Sequence, residues 1–214
     1  MSGLIQKDLC LLLQRSRVMI ILVCVGALMG FATDGSFVIG YLTMICAILT
    51  VGTVSYDEFD NGYPFLMTLP ITKKTYVNSK YIFCMLGGLA GWCVSVAIYL
   101  GCILIKGESI SLSLSTLTET VAFIPVLGLI ISVMLPIQLK YGAEKSRIAI
   151  AVIGGGAWAL GYLVLRYLPD DIQLPAFLEN ADELTFTALL FVLCLAAFAV
   201  SYPVSLHVME KKEY

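Results

Sequence analysis

Long apolar runs alternate with short polar connections along the whole chain. Six of these runs approach or exceed the roughly 20 residues that an α-helix needs to cross a bilayer. They cover residues 18–32, 37–55, 81–105, 121–139, 148–168 and 184–206, and the first is the shortest. The pattern predicts an all-α integral membrane protein with six transmembrane helices, in a single domain over residues 1–214.

Residues 3–17 precede the first run and have a different pattern. Leu4, Ile5, Leu9, Leu12 and Leu13 recur at helical spacing, and Lys7, Asp8, Gln14 and Arg15 lie elsewhere around the helix. This arrangement is typical of an interfacial amphipathic helix that lies flat with its apolar stripe at the acyl boundary. A cytoplasmic extension of the first span fits the same residues.

Composition supports the membrane class and excludes several others. The chain is 59% hydrophobic and 13% charged, and no water-soluble domain of 214 residues could bury so much apolar surface. A net charge of −2 without a basic tract gives no indication of nucleic-acid binding. The seven cysteines are scattered singly in apolar or amphipathic segments, which is typical of small hydrophobic residues rather than of disulfides or a zinc site.

The lysines and arginines indicate the orientation of the chain. Eleven of the thirteen fall on one side of the predicted spans, and only Lys106 and Arg166 fall on the other. Positive residues are enriched in cytoplasmic connections. Both termini and the connection over residues 56–80 are therefore predicted to be cytoplasmic.

Residues 56–80 form the longest polar interruption. Asp57, Glu58 and Asp60 open it, a turn-prone Asn61-Gly62 follows, and a short aromatic and aliphatic segment stops at Leu69-Pro70 because a residue before proline avoids the helical region. The segment fits a short amphipathic helix on the membrane surface, suited to a groove on a soluble partner. An ordinary solvated loop with its aromatics in the lipid interface explains the composition equally well.

The amino-acid sequence of this connection resembles the first cytoplasmic loop of ABC-2-type transporter permeases. The matching pieces are Asp57-Glu58, Asn61-Gly62-Tyr63, Leu69-Pro70-Ile71-Thr72-Lys73-Lys74 and Val77-Asn78-Ser79-Lys80-Tyr81. The number and order of apolar runs are similar too, so the resemblance covers essentially the whole chain. It implies a multi-pass permease subunit of a bacterial plasma-membrane exporter.

The resemblance also implies partners and site residues. A second permease copy or a related permease would complete the pore, and two ABC ATPase subunits would bind below it. ATP and Mg²⁺ would bind to those ATPase subunits, with no cofactor or metal in this chain. The ATPase-coupling residues would be Tyr56, Asp57, Glu58, Phe59, Asp60, Asn61, Gly62, Tyr63, Phe65, Leu66, Leu69 and Pro70. Among them, Asp57, Glu58 and Asp60 would contact the ATPase or cap the helix, and Phe59, Tyr63, Phe65 and Leu66 would be its apolar contacts. Lys73, Lys74 and Lys80 would anchor to anionic lipid headgroups.

No catalytic constellation is found in the sequence. Gly154-Gly155-Gly156 lacks the Gly-Lys-Ser/Thr ending of a phosphate loop, no GxxxxGK[ST] occurs, and no buried acidic pair is expected because every carboxylate falls in a loop, near a span boundary or in a terminal segment. The chain is therefore predicted not to be an enzyme and to need a separate ATPase. The only charge inside a span is Arg166, which either gates the outer exit or simply snorkels outward and pairs with Asp170 or Asp171.

Glycine pairs predict where helices approach closely. Gly26 and Gly30 lie four residues apart in the first span, Gly87 and Gly91 in the third, and the run at 154–156 lies with Gly161 in the fifth. Small residues at this spacing permit close contact between helices in membranes. Most such pairs are expected to join spans of the same chain.

The cargo is the least determined part of the hypothesis. Predominantly apolar spans with scattered hydroxyls favour amphipathic or hydrophobic substrates, with peptide export and antimicrobial resistance as the specific hypothesis from the resemblance. The alternative is a non-transporting membrane module, such as a sensor, immunity or assembly protein, that binds a partner through the same loop.

Overall fold

The computed structural model describes residues 2–32, 36–58, 62–68, 70–107, 114–167 and 182–212. Its helices are α1 (Ser2–Gln14), α2 (Ser16–Ala32), α3 (Ser36–Val51), α4 (Thr53–Tyr56), α5 (Gly62–Thr68), α6 (Lys73–Lys106), α7 (Leu114–Tyr167) and α8 (Glu183–Lys211). No strand occurs in these ranges. The all-α class predicted from the sequence is confirmed.

Four helical segments of the described chain are long and apolar enough to cross a membrane. They are Phe37–Tyr56, Lys73–Lys106, Thr116–Gly142 and Glu183–Lys211. The bent pair α1 and α2 adds a fifth if it is taken as one span. The predicted span at 148–168 is helical as far as Tyr167, and its crossing of the membrane stays a prediction.

A bend of 66° separates Gly3–Gln14 from Ser16–Phe31. The direction of α1 therefore differs from that of α2, which excludes a straight extension of the first span. Leu4 and Asp8 of α1 are buried, whereas Leu9 and Leu13 are about half exposed. The buried side of α1 thus includes the carboxylate of Asp8 beside Leu4.

Two helices begin earlier than the apolar pattern predicts. α6 starts at Lys73 rather than Tyr81, because Thr72 caps it: the Thr72 Oγ1 accepts a hydrogen bond from the Thr75 backbone N–H at 3.1 Å. α7 starts at Leu114 rather than Val121. Its first turns are rich in serine and threonine, and the Thr120 hydroxyl donates to the Thr116 carbonyl at 2.7 Å.

A break at Gly142 replaces the predicted connection between residues 139 and 148. Gly142 has φ 73° and ψ −175°, and helical structure continues on both sides. This combination of angles is essentially restricted to glycine. The two predicted spans are therefore joined through one non-helical residue rather than through a loop.

Glycines bring α3 close to its neighbours. A β-carbon at Gly26 or Gly30 of α2 would press on Leu42 or Val38 of α3. Gly87 and Gly91 of α6 lie in the same way against Thr50 and Cys46 of α3, whereas Gly155 and Gly156 of α7 have open space around them. The predicted close contacts within the chain are thus present in the first and third spans. The two glycines of α7 do not make them.

The main core lies at the end of the bundle that carries α1, α4 and α5. It joins buried residues of seven helices: Leu4, Ala47, Val51, Val54, Tyr63, Leu66, Tyr76, Val77, Tyr81, Cys84, Leu127, Ile131, Leu135, Leu139 and Met209. At this core α7 packs against α8, and α3 packs between α6 and α7. The predicted partner-binding connection therefore contributes Tyr63 and Leu66 to this core.

Candidate functional site

The described parts of the connection between α3 and α6 lie at one end of the bundle, and we call α4, Asp57, Glu58 and α5 together the hairpin. α4 ends at Tyr56, Asp57 and Glu58 follow, and α5 runs from Gly62 to Thr68. The start of α5 lies close to the turn before it, since a β-carbon at Gly62 would come within 2.6 Å of the Asp57 carbonyl oxygen. α5 ends two residues before Pro70, which suits the restricted backbone before a proline.

α5 turns one face inward and the other outward. Tyr63 and Leu66 are 4% and 6% exposed, and both belong to the core. Phe65 is 68% exposed, and Pro64 and Thr68 are exposed beside it. Tyr63 and Leu66, which were predicted as apolar contacts for a partner, pack inside the chain, and their role toward a partner stays a prediction. Among the described residues of α5, Phe65 is the large apolar side chain available to a partner.

Tyr63 is held between two other elements. Its ring meets the Tyr76 ring of α6 edge to face, with 5.7 Å between the centroids. The Lys212 Nζ lies 4.5 Å from the centre of the Tyr63 ring on another side. Edge-to-face rings and a cation over a ring face are both favourable arrangements. α5 is therefore fixed to both α6 and the end of α8.

Lysines tie the end of α8 to the same region. The Lys73 Nζ donates to the backbone carbonyls of Glu210 and Lys212 at 3.1 and 2.9 Å, and the Lys212 Nζ donates to the Leu139 carbonyl at 3.2 Å. Positive groups stabilise the carbonyl-rich end of a helix. Lys73 was predicted to anchor to lipid headgroups, but its ammonium group is engaged by these carbonyls. Lys74 is exposed, in agreement with a surface role.

Asp57 lies inside the hairpin rather than at its surface. Its side chain is 4% exposed, it is paired with Lys7, and its Oδ2 lies 2.7 Å from the Lys80 Nζ. The Tyr76 hydroxyl also donates to Oδ2 at 2.7 Å. Three groups of the same chain thus surround the Asp57 carboxylate, and its predicted roles, contact with an ATPase or capping of the helix, stay predictions.

The charges around Asp57 change its acidity. Burial alone raises the pKa of the Asp57 carboxyl, since it disfavours the charged form. The positive charges of Lys80 and Lys7, and their hydrogen bonds to the carboxylate, act in the opposite direction and outweigh burial. The pKa of Asp57 therefore lies below its ordinary value of 3.8, and the carboxylate is ionised at neutral pH.

A second buried carboxylate, Asp8, faces the same lysine. The Lys80 Nζ lies 2.8 and 2.7 Å from Asp8 Oδ1 and Oδ2, and the side chains of Lys80 and Asp8 are 1% and 0% exposed. Lys80 was predicted to anchor to lipid headgroups, and a buried acidic pair was not expected. Both predictions are wrong, since α1 and the hairpin together enclose Lys80 with Asp8 and Asp57.

Glu58 lies against the break in α7. A β-carbon at Gly142 would collide with both carboxylate oxygens of Glu58. The absence of a side chain at position 142 therefore makes room for this carboxylate. Tyr56, at the end of α4, lies under the guanidinium of Arg15, whose Cζ is 4.8 Å from the ring centre.

Several predicted site residues lie outside what the structure describes. Phe59, Asp60, Asn61 and Leu69 fall in the undescribed parts of the connection. Arg166 belongs to α7, but its side chain is also outside the description, so its gating role stays a prediction. Pro70 is exposed just before the start of α6.

Four residues of this region had no predicted place in the site: Lys7, Asp8, Tyr76 and Lys212. The sequence feature that could have revealed Asp8 as a site residue is its position, next to Lys7, in a helix that is otherwise rich in leucine. A buried charge needs a partner of opposite sign, so Asp8 called for a cation elsewhere in the chain. The sequence could not show that this cation is Lys80, which is 72 residues away.

Comparison with known proteins identifies the family. Residues 3–210 match the ABC-2 family transporter protein family, so the chain belongs to that family. No curated protein and no solved structure matches the chain. The protein is thus a multi-pass membrane component of the ABC transporter class, a class whose permeases work with an ABC ATPase.

Proposed function

We propose that the chain is the permease subunit of an ABC exporter and that it binds its ATPase through the exposed face of α5. The observation that carries the proposal is the division of α5 into two faces. Tyr63 and Leu66 hold the helix to the bundle, while Phe65 projects from it with 68% of its surface exposed. A large apolar side chain on a rigidly held helix is the kind of anchor that fills a pocket on a partner.

The exposed lysines at this end of the bundle favour binding of the ATPase at the same end. Lys74, Lys140 and Lys211 are exposed at the ends of α6, the first part of α7 and α8. These ends lie close together, since Lys73 bonds to Glu210 and Lys212 bonds to Leu139, and Lys212 also contacts Tyr63 of α5. Such a concentration of lysines fits the cytoplasmic face, where the ATPase is, and complements an acidic rim on the partner groove.

The proposed complex contains two copies of the permease, or this chain and a related permease, with one ATPase below each. ATP binding would draw the ATPases together and displace α5. Because α5 is fixed to α6 and α8, its displacement would move those two helices directly. This is how nucleotide energy would reach a transport pathway in a chain that carries no ATPase motif of its own.

Truncation of the exposed anchor tests the proposal. With the cognate ABC ATPase co-expressed, Phe65→Ala should reduce ATPase copurification at least about tenfold, the usual cost of losing an interface anchor. Phe37→Ala is the matched control, since Phe37 is 52% exposed at the opposite end of α3. Unchanged copurification with Phe65→Ala, or an equal loss with Phe37→Ala, would overturn the assignment of α5.

A groove between α6 and α8 supports apolar or amphipathic cargo. It has a volume of about 500 Å³ and is lined by Tyr81, Ile82, Met85, Leu86, Phe198, Ala199 and Tyr202. The Tyr81 hydroxyl is bonded to the Ser201 and Ser205 hydroxyls at 2.6 and 2.8 Å, so the polar atom of this ring is already occupied. A groove with so few free polar groups suits hydrocarbon surface rather than sugars or ions.

A bulky substitution in the groove tests the cargo class. Vesicles containing the permease and its ATPase would be assayed for ATP-dependent movement of a fluorescently labelled amphipathic helical peptide. Leu86→Trp should slow this movement, whereas Leu104→Trp, an exposed position of α6 outside the groove lining, should not. Equal transport by the two variants would remove the groove from the pathway.

A further inference from the structure

Four charged side chains from three elements meet behind α5. Lys7 and Asp8 come from α1, Asp57 follows α4, and Lys80 belongs to α6. The Lys80 Nζ lies within 2.8 Å of both Asp8 oxygens and 2.7 Å from Asp57 Oδ2. Lys7 pairs with Asp57 Oδ1, and its Nζ lies 3.4 Å from Asp8 Oδ1. We name these four residues the charge cluster.

The charge cluster is balanced and almost completely shielded. Two positive and two negative groups sum to zero, and the side chains of Asp8, Asp57 and Lys80 are 0%, 4% and 1% exposed. Only the side chain of Lys7, which is 31% exposed, reaches the surface. Removing charges from water costs several kcal/mol for each ion, so a buried ion pair adds little net stability over an apolar pair of the same shape. Stability alone therefore does not account for this arrangement.

The charge cluster fixes the relative positions of three elements. Lys80 holds both oxygens of Asp8 while it also contacts Asp57, so its ammonium group fixes α1 and the hairpin relative to α6 at the same time. A second contact reinforces the link, since the guanidinium of Arg15 stacks on Tyr56, the residue before Asp57. Apolar contacts tolerate sliding, whereas hydrogen-bonded charges in a dry site have few alternative arrangements.

We propose that the charge cluster is a rigid joint that makes α1, the α4–α5 hairpin and the base of α6 move as one body. This inference rests on the proposed function, because it is the ATPase that would displace α5. Movement of α5 would then reach α1, and through the 66° bend at Arg15 it would reach α2. Lys80, Asp8 and Asp57 are positioning residues: they transmit displacement without contacting the ATPase or the cargo.

Distance measurements on the complete chain in lipid nanodiscs test the joint. Spin labels at Gln6 of α1 and Thr68 of α5, both exposed, would be attached through an encoded keto amino acid so that the seven cysteines stay in place. The wild type should give one narrow distance distribution. Asp8→Leu combined with Lys80→Met removes one ion pair, keeps the net charge, and should melt close to the wild type while its distribution becomes at least about twofold broader.

The matched control is Lys74→Met, which removes an exposed lysine near the start of the same helix and should leave the distribution narrow. An equally narrow distribution in the double variant would overturn the joint. If the double variant fails to fold, the single variant Lys7→Met serves, since Lys7 is partly exposed and its removal should broaden the distribution to a smaller extent. A narrow distribution in Lys7→Met would likewise overturn the joint.

A second measurement separates this inference from the proposed function. The double variant keeps Phe65, so it should still copurify with the co-expressed ATPase while the change in ATP hydrolysis that the permease imposes falls at least about threefold. Copurification together with unchanged hydrolysis would overturn the transmission of movement through the joint. If the wild type itself binds no ATPase, the proposed function fails, and the spin-label distances still decide whether the charges fix α1 to the hairpin.

Discussion

The Lys212 Nζ lies 4.5 Å from the centre of the Tyr63 ring, although the two residues are 149 positions apart in the sequence. Lys212 also donates to the Leu139 carbonyl at 3.2 Å, so one side chain links α5, α7 and the end of α8. The hairpin proposed to meet the ATPase is therefore held in contact with the end of α8 by Lys212. This contact explains why α5 can be short and still hold one position.

The two aromatic side chains of α5 should have opposite effects when truncated. Tyr63→Ala removes a buried ring that contacts Tyr76 and Lys212, and should lower the free energy of unfolding by about 3 kcal/mol. Phe65→Ala removes an exposed ring and should leave stability nearly unchanged while it reduces ATPase copurification. Thermal unfolding in detergent micelles measures the first effect. A greater loss of stability with Phe65→Ala than with Tyr63→Ala would reverse the assignment of the two faces.

Lys212 should stabilise the protein more than its neighbour. Lys212→Met loses the contact with the Tyr63 ring and the hydrogen bond to Leu139, and should cost about 1–2 kcal/mol. Lys211→Met, at an exposed position with the same change of charge, is the control and should have little effect. The melting temperatures of the two variants at the same pH provide the comparison, and equal values would contradict the role of Lys212.

Asp57 should contribute to stability in a defined range of pH. Because its pKa is lower in the folded protein than its ordinary value of 3.8, the contribution is complete above that value and is lost as the pH falls through the lower, folded value. At neutral pH, Asp57→Asn should therefore melt well below the wild type, since only Asp8 then remains to balance the positive charges of Lys7 and Lys80 in a largely buried site.

The difference between the two melting temperatures should stay constant from pH 7 to about pH 5 and narrow below about pH 4. Asp182→Asn, at an exposed position before α8, should give no such narrowing. A difference that persists unchanged in acid would show that the carboxylate charge is not what stabilises the hairpin.

Glycine at position 142 should be required for the break in α7. Gly142→Ala places a side chain at φ 73° and against the Glu58 carboxylate, and should cost about 2 kcal/mol. Gly155→Ala, in open space within the helical part of α7, should instead be neutral or stabilise by up to about 1 kcal/mol.

Combining Gly142→Ala with Glu58→Ala separates the two causes of the loss. The collision with the carboxylate disappears in the double variant, while the backbone strain remains. Part of the lost melting temperature should therefore return. Complete recovery would mean that the backbone at 142 is not strained, and no recovery would mean that Glu58 does not press on this position.

The predicted helices agree with the structure wherever the signal was local. Runs of apolar residues form helices, and the short amphipathic segment before Pro70 is helical from Gly62 to Thr68. The boundaries at Lys73 and Leu114 were missed because Thr72 and the threonines near the start of α7 satisfy backbone or side-chain hydrogen bonds in ways that an apolar pattern does not reveal. The single-residue break at Gly142 was missed because the charged residues Lys140, Lys145 and Arg147 around it suggested a loop.

The composition of residues 56–70 did not reveal which of their side chains are buried. In the described part of this connection, Asp57, Tyr63 and Leu66 are buried and Phe65 is exposed. Composition alone suggests that polar and aromatic side chains on a short helix lie at the surface. Here each buried group has a specific partner from another element, such as Tyr76 for Asp57 and Lys212 for Tyr63.

The sequence alone determined that this protein is an all-α membrane protein, and it predicted that most lysines and arginines lie on one side of the membrane. These properties are local, because a backbone in lipid must satisfy its own hydrogen bonds and apolar side chains must meet lipid or each other. Only the tertiary structure decided which charges are enclosed and which ring of α5 is free. The burial of these groups depends on pairs such as Lys80 and Asp8, which are 72 residues apart in the sequence. Their attraction becomes strong only after the helices have packed together and excluded water between them.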